Sequence, residues 1–464
     1  MHDKEFTKGM RGEFRGDFTR DTFDPYRRFS RVLMQQGRVQ LDADWNEQVS
    51  ILLYQLRAMG AHLMGPHGYP CTVDGTKGPD FSISADGADF SIAPGSYYVD
   101  GILCENSEAV RYREQPDLPM DDGDSLEAGE HLVYLDVWER HISFVEDDYI
   151  REKALTGPDT ASRAKIVWQV KTAPIDDRDA DADFKRNHES FLNKLSPGAR
   201  PGSGELRARA RRAPQTPEPC LISPEASYRG PENQLYRVEI HRGGDVTSAN
   251  AAPTFKWSRE NGAVIFPVTE ISGEKISLEH LGRDARFTLS PNDWVEVLDD
   301  HVTLKGNAGG LFRVKEVDTE NLQVTLSGVP DVTVGAAADN HPYLRRWDHK
   351  SGGEYGIDVE EGDTDQSWLL LEDGVEIQFP PPQPDADGNV TAHLYQTGDY
   401  WLIPARTATG DVEWPGPVAA PDALPPQGVK HHYAPLWRIT VETSGNVVVT
   451  AAGDQRRKLK KLWD

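Results

Sequence analysis

From Phe81 to Val170 apolar and polar residues alternate with period two. The runs "DFSIAPGSYYVDGILCEN", "HLVYLDVWERHISF" and "KIVWQVKT" are separated by Gly, Pro and Asp turns. Such alternation fits a strand with one buried face and does not fit a helix. The pattern resumes at "NQLYRVEIHRGG" and "TFKWSRENGAVIFPV", where Glu260-Asn261-Gly262-Ala263 predicts a hairpin because Asn-Gly supplies positive φ angles. Asp293 to Gly328 sets several short strands between Gly and Asn turns, the expectation for a small SH3-like or OB-like barrel at about 283–330. After "LRRWDHK" a last β-rich block holds "SWLLLEDGVEIQF", "GDYWLIPAR", "YAPLWRITVE" and "GNVVVTAAG", with a loop from Pro415 to Gln427. The fold class is therefore mainly β (α+β) and multidomain, built from β-sandwich and small-barrel units.

One segment departs from period two. From about Trp45 to Leu63, the residues Val49, Leu52, Leu53, Leu56, Met59 and Leu63 follow the i, i+3, i+4, i+7 rule, giving an amphipathic helix with one apolar stripe. Gly65-Pro66 ends it. Ahead of it, residues 1–41 read as an extended arm, in which "RGEFRGDFTRDTFDPYRRFSRV" alternates aromatics with charges and Asp24-Pro25 breaks any helix. Phe14, Phe18, Phe23, Tyr26 and Phe29 need cover, either along their own domain or in a neighbouring subunit. With Trp45 they are the candidate interface residues.

A chain of 464 residues exceeds what one core serves. The expected division is the arm 1–41, a helix-plus-β domain 42–173, an insertion or linker 174–232, a β domain 233–345 containing the barrel, and a β-rich C-terminal domain 346–464. Residues 174–232 are poor in core formers, with "DDRDADAD" followed by "SPGARPGSGELRARARRAPQTPEP". Their arginines (Arg200, Arg207, Arg209, Arg211, Arg212) form a basic island, read as a solvated loop, with a docking patch for an acidic neighbour as the alternative.

Charge narrows the partners. Lys+Arg 50 against Asp+Glu 75 gives −25, with a pI near 5.0, which opposes general binding to nucleic acid or anionic membranes. Hydrophobic residues at 38% can fill cores, and no run approaches the ~18 apolar residues of a membrane span. Cys71, Cys104 and Cys220 form no CxxC pair, so neither a disulfide framework nor a Cys-based zinc site is expected.

The stretch "MQQGRVQLDADWNEQ" looks most like chemistry. With Asp44 as N-cap, Trp45 is N1 and Glu47 is N3, a capping box with Asp in place of Ser or Thr. Both charges would then sit at the positive end of the helix dipole, worth ~0.3–1 kcal/mol each. The competing assignment makes Asp42 and Asp44 a catalytic acid pair, which needs a shared cleft and separated pKa values. Capping is the favoured reading. Arg15-Gly16-Asp17 spells an adhesion tripeptide, but it lies among aromatics that need burial. His62 and His67 straddle a helix break, and His431 and His432 point apart on a strand, so no metal-ligand spacing emerges. "PDADGNV" lacks the third acid and closing Glu of a calcium loop. No GxSxG, Walker A or GxGxxG occurs, and no catalytic residue or cofactor is expected. Trp138, Trp347, Trp368, Trp401 and Trp414 lie near acids in β segments and could stack sugars, though large aromatics in strands usually form core.

Several segments together resemble an uncharacterised bacterial domain family associated with phage-tail-like contractile injection systems. They are "FTRDTFDP…FSRVLMQQGRVQLDADWNEQ…GPHG", "YYVDGILCEN", "VYLDVWER", "GPDTASRAKIVWQV", "ENQLYRVEIH", "FKWSRENGAVIFPV" and "GDYWLIPARTATGDVEWP", in that order. The resemblance runs from about Gly12 to about Arg438. It implies an accessory structural component, a fibre or spike attachment module, or a cargo, and it transfers no catalytic residues. Some members carry a right-handed β-helix after this domain. Here "RRKLKKLWD" follows instead, which points toward an adaptor. The expectation is a non-enzymatic component acting by protein–protein docking, with other particle proteins or its own copies as partners. The alternatives are a glycan-active cargo using Asp42 and Asp44, and a carbohydrate-binding module. The N-terminus has no apolar h-region, so synthesis in the cytoplasm is expected, with any extracellular location reached inside a released particle.

Overall fold

The Gly129–Ile142 strand organises the first sheet. In the computed structural model it pairs antiparallel with Arg163–Pro174 on one side and His432–Val441 on the other, and Val447–Asp454 completes the four strands. The structure describes residues 12–459 apart from 71–79, 122, 156–158, 177–182, 196–201, 212–226, 249–251, 283, 285, 332, 336–337, 385–387 and 418. Val133, Leu135 and Val137 lie on one face of the central strand and pack with Val170, Leu436 and Ile439. The period-two reading thus holds, but the pairing crosses the expected division at 345/346. "VYLDVWER" and "APLWRITVE" are neighbours in one sheet, with Leu135 opposite Ala434.

A second sheet of five strands runs Ile357–Asp358, Thr254–Ser258, Gln234–Arg242, Tyr400–Arg406, Asp411–Val412. Tyr236, Val238 and Ile240 point into an apolar core with Phe255, Trp257 and Ile403. Their alternates Arg237, Glu239 and His241 are buried as well, on the opposite face. A half-buried strand was expected here; instead both faces are covered.

The barrel closes in the order Ile265–Ser272, Lys275–Leu278, Gln323–Leu326, Gly310–Asp318, Trp294–Leu298, Tyr343–Trp347 around Phe266, Ile276, Val295, Val324 and Leu344. It therefore begins before and ends after the expected 283–330. Asn261 and Gly262 have the positive φ values expected, 53° and 68°. They do not close a hairpin, however, because Thr254–Ser258 belongs to the five-stranded sheet and Ile265–Ser272 to the barrel.

The expected linker 174–232 contains a helix and a strand among its described residues. Helix His188–Leu195 buries Phe191 against Leu132 and Phe184. The Arg207–Ala210 strand pairs with Val375–Gln378, burying Ala208 and Ala210. Arg209 donates to Glu376 at 2.9 Å and lies 3.9 Å over the Trp368 ring. That part of the basic island docks on Glu376 of this chain; Arg200 and Arg212 lie outside the described residues.

Candidate docking interface

The arm has two parts with opposite surroundings. Residues 12–23 are latched down. The Tyr400 hydroxyl donates to the Gly12 carbonyl at 2.8 Å, and the Asn261 amide donates to the carbonyls of Phe14 at 3.1 Å and Gly16 at 2.9 Å. Arg15 enters the buried polar face of the five-stranded sheet and donates to Glu239 at 2.6 Å. Glu239 also accepts from Arg237 at 2.6 Å and faces Lys256, which donates to Glu296 at 2.6 Å. Burial alone would raise the Glu239 pKa, but Arg15, Lys256 and Arg237 hold it far below the usual carboxylate range. Burial alone would lower that of Arg15, but Glu13 and Glu239 outweigh it and hold the guanidinium charged. The Arg-Gly-Asp stretch is thus an anchor whose arginine is in the interior.

Beyond Phe23, which is buried against Tyr54, the arm turns outward. Tyr26, Phe29, Leu33, Met34, Val39 and Leu41 are all exposed. Gly37, at φ 70°, reverses the chain, and Arg38 N–H donates to the Gln35 carbonyl at 3.4 Å. The segment 25–41 carries Arg27, Arg28, Arg31 and Arg38 and no acid, a basic strip in an acidic chain.

Helix α1 spans Asp42–Met64, beginning two residues before the expected cap. Asp44 is therefore inside the first turn and not its N-cap; the cap position is Leu41, with no side-chain bond. The expected capping box does not form. Asp42 instead accepts the Thr19 backbone N–H at 2.8 Å together with its hydroxyl, and Glu47 accepts the Thr22 hydroxyl at 2.6 Å. Val32 N–H donates to the Gln48 side chain at 2.8 Å. Asp42, one of the two acids considered catalytic, and Glu47, expected in the capping box, bind the arm to the helix.

A surface helix normally turns its apolar stripe to the core. Here the inward face is Ala43, Glu47, Ser50, Ile51, Tyr54 and Arg57, with Arg57 donating to Glu139 at 2.8 Å. The close approach runs over Gly101, whose φ of 77° residues with a side chain rarely adopt and whose missing Cβ makes room for the Arg57 carbonyl. The stripe faces outward: Trp45 is 73% exposed, Leu52 55%, Leu56 59% and Leu63 62%. More than half of the large exposed apolar side chains among the described residues fall between Tyr26 and Leu63, under a tenth of the chain.

A half-open cleft of about 1430 Å³ lies between this helix, the latched arm, the end of the Gly129–Ile142 strand and the barrel. Its acids are largely engaged: Glu139 by Arg57, Glu146 by Ser143, and Asp100 by His432 at 2.7 Å. His141, at its wall, is pushed down to about 3 by burial and by Arg345, Arg15, Arg237 and Arg140, so it is neutral.

The model of a family of unknown function (DUF6519) matches residues 14–203 and 198–446. The chain belongs to this family. No curated protein and no solved structure matches it. The DUF6519 match starts in the latch and takes in the outward limb, α1, all the barrel strands and the four-stranded sheet up to Val447–Asp454. It supplies no activity.

Against this geometry, the candidate interface residues split. Phe23 is buried and Phe14 and Phe18 are half-buried in the latch, while Tyr26, Phe29 and Trp45 are exposed, Trp45 at the edge of the cleft. Of the five tryptophans considered as sugar platforms, Trp138, Trp347 and Trp401 are core, and Trp368 is covered by Arg209. The "PDADGNV" stretch lies partly outside the described residues. In the sequence Arg15 stands out only within Arg-Gly-Asp and Asn261 only as a turn residue, and Glu239 not at all. The signal that could have marked Glu239 is Arg237-x-Glu239-x-His241, a cation and an imidazole flanking a carboxylate on one face of a strand.

Proposed function

We propose that this DUF6519 chain is a non-enzymatic structural or attachment component of a phage-tail-like contractile injection particle, acting by protein–protein docking. The observation that carries the docking reading is the outward apolar face of α1, continuous with the exposed limb 25–41. Monomers rarely leave contiguous apolar patches above a few hundred Å² uncovered. The particle context comes from the sequence resemblance. Under the cargo-enzyme alternative, Asp42 would be a working acid; its carboxylate is instead occupied by Thr19.

The experiment is copurification of the tagged chain with sedimented particles. Deleting residues 1–41 would remove Arg15 from its buried partners. The cleaner variant is Leu52→Glu with Leu56→Glu, which keeps the latch. The wild type should sediment with particles and the variant should stay in the supernatant with its circular dichroism unchanged. A wild-type chain absent from purified particles would overturn the proposal.

A further inference from the structure

The exposed residues of α1 are spaced four, three, four, three, four: Trp45, Val49, Leu52, Leu56, Met59, Leu63. That is a repeat of 3.5, the seam of a two-helix coiled coil, where a helix packed on a globular core shows a wider stripe. The positions opposite the seam are the ones this chain uses itself. Ala43 and Ile51 are 2% exposed, Tyr54 packs on Phe23, and Glu47 and Arg57 bond to Thr22 and Glu139. Among the described residues the seam is thus complete and exposed, with Trp45 and Val49 also lining the cleft beside the helix.

Resting on the reading of α1 as an interface, we propose that its occupant is α1 of a second copy of this chain, running antiparallel across a twofold axis. The register supports this. Centring the axis between Leu52 and Leu56 sets Trp45 beside Leu63 of the other copy, Val49 beside Met59, and Leu52 beside Leu56. Every layer then pairs one seam position with the other kind, as antiparallel packing requires.

The flanks are self-compatible. On one side they are Asn46, Leu53 and Gly60, and on the other Gln48, Gln55 and His62. No Asp, Glu, Lys or Arg stands there, so two identical helices meet without like-charge repulsion, and no charge pattern selects a different partner. Gln55 meets its own mate across the axis, where two amides can exchange hydrogen bonds.

The area suffices. At roughly half exposure each such side chain offers on the order of 80–100 Å², so the seam with Leu53 supplies ~600 Å². The limb 25–41 beside the helix start raises this toward ~1,000 Å² per copy, against ~800 Å² per partner for a standard interface.

The test is sedimentation equilibrium of the full chain at tens of micromolar. The expected mass is twice the 51.7 kDa of one chain. Leu52→Glu with Leu56→Glu should give the single mass with unchanged circular dichroism. Under mild oxidation Gln55→Cys should form a disulfide-linked dimer, and Leu56→Cys, which faces Leu52, should not. A monomeric wild type, a dimer that survives the double substitution, or linkage through Leu56→Cys in place of Gln55→Cys would overturn the proposal. A monomer that still copurifies with particles defeats self-pairing alone. A seam-dependent dimer missing from particles defeats the particle assignment alone.

Discussion

Arg15 and Glu239 are 224 positions apart in the chain, and their side chains meet at 2.6 Å in the interior. This contact converts a charged N-terminal segment into a fixed strap. It covers the polar face of the central strand Gln234–Arg242 and sets where the outward limb begins.

Removing one member of a buried ion pair leaves the other uncompensated, which typically costs about 3–5 kcal/mol. Arg15→Ala should fall near the lower end, because Glu239 keeps Arg237 and Lys256. Glu239→Ala should cost more, since it strips a carboxylate from three cations at once. Urea unfolding of both variants would show this order; a loss below about 1 kcal/mol for Arg15→Ala would contradict the latch.

Asp42 and Asp44 should separate cleanly. Asp42→Ala removes the acceptor of the Thr19 N–H, so amide exchange at Thr19 should accelerate. Asp44→Asn should leave it unchanged and alter stability by no more than ~0.5 kcal/mol, as for an ordinary surface change. Equal effects at both positions would contradict the arm-binding role of Asp42.

Gly101→Ala places a methyl group where the Arg57 carbonyl lies, at a φ of 77°. A cost above ~1 kcal/mol is expected, since both the backbone angle and the close approach are incompatible with a Cβ. The damage should be local: hydrogen exchange should rise along α1 and not in the barrel. Uniform protection would show that α1 is held elsewhere.

Acid should destabilise the fold well above the carboxylate range. Burial is the main cause that lowers His67, His141 and His349 to about 3 and His241 to about 4. Between pH 6.5 and those values the unfolded chain binds protons that the folded chain does not, so stability falls as pH falls. Each such group contributes up to about 1.4 kcal/mol per pH unit in that window. Asp399 and Glu260, raised to about 7 chiefly by burial, act in the opposite sense between about pH 4 and 7. The four histidines outnumber them. Glu239, lowered in the fold, adds its loss below its unfolded value of about 4.3. Calorimetry from pH 7.5 to 5 should show a falling Tm; a flat or rising Tm would contradict the burial of these imidazoles.

The sequence showed the β layers, the helix and its stripe, and the turn at Asn261-Gly262, because these are written in local periodicity. It did not show which strands meet: Gly129–Ile142 beside His432–Val441 depends on partners about three hundred residues apart. Nor did it show the latch. Arg237, Glu239 and His241 alternate with apolar residues just as a solvent face would; Glu239 is buried among Arg237, Arg15 and Lys256, and burial and Lys256 push His241 down. Asp44 followed by Glu47 mimicked a capping box because both acids do lie at a helix start. The helix instead starts at Asp42, whose carboxylate accepts the tertiary bond from Thr19. The stripe itself was legible, but its outward direction was not, since periodicity says which residues share a face and not what that face meets.

The central claim is that the face from Trp45 to Leu63 is an interface. The most direct measurement is an electron cryomicroscopy map of purified particles at side-chain resolution. The account predicts density for this chain with the Trp45–Leu63 face covered by protein. A map in which that face points to solvent, or in which the chain is absent, would contradict it.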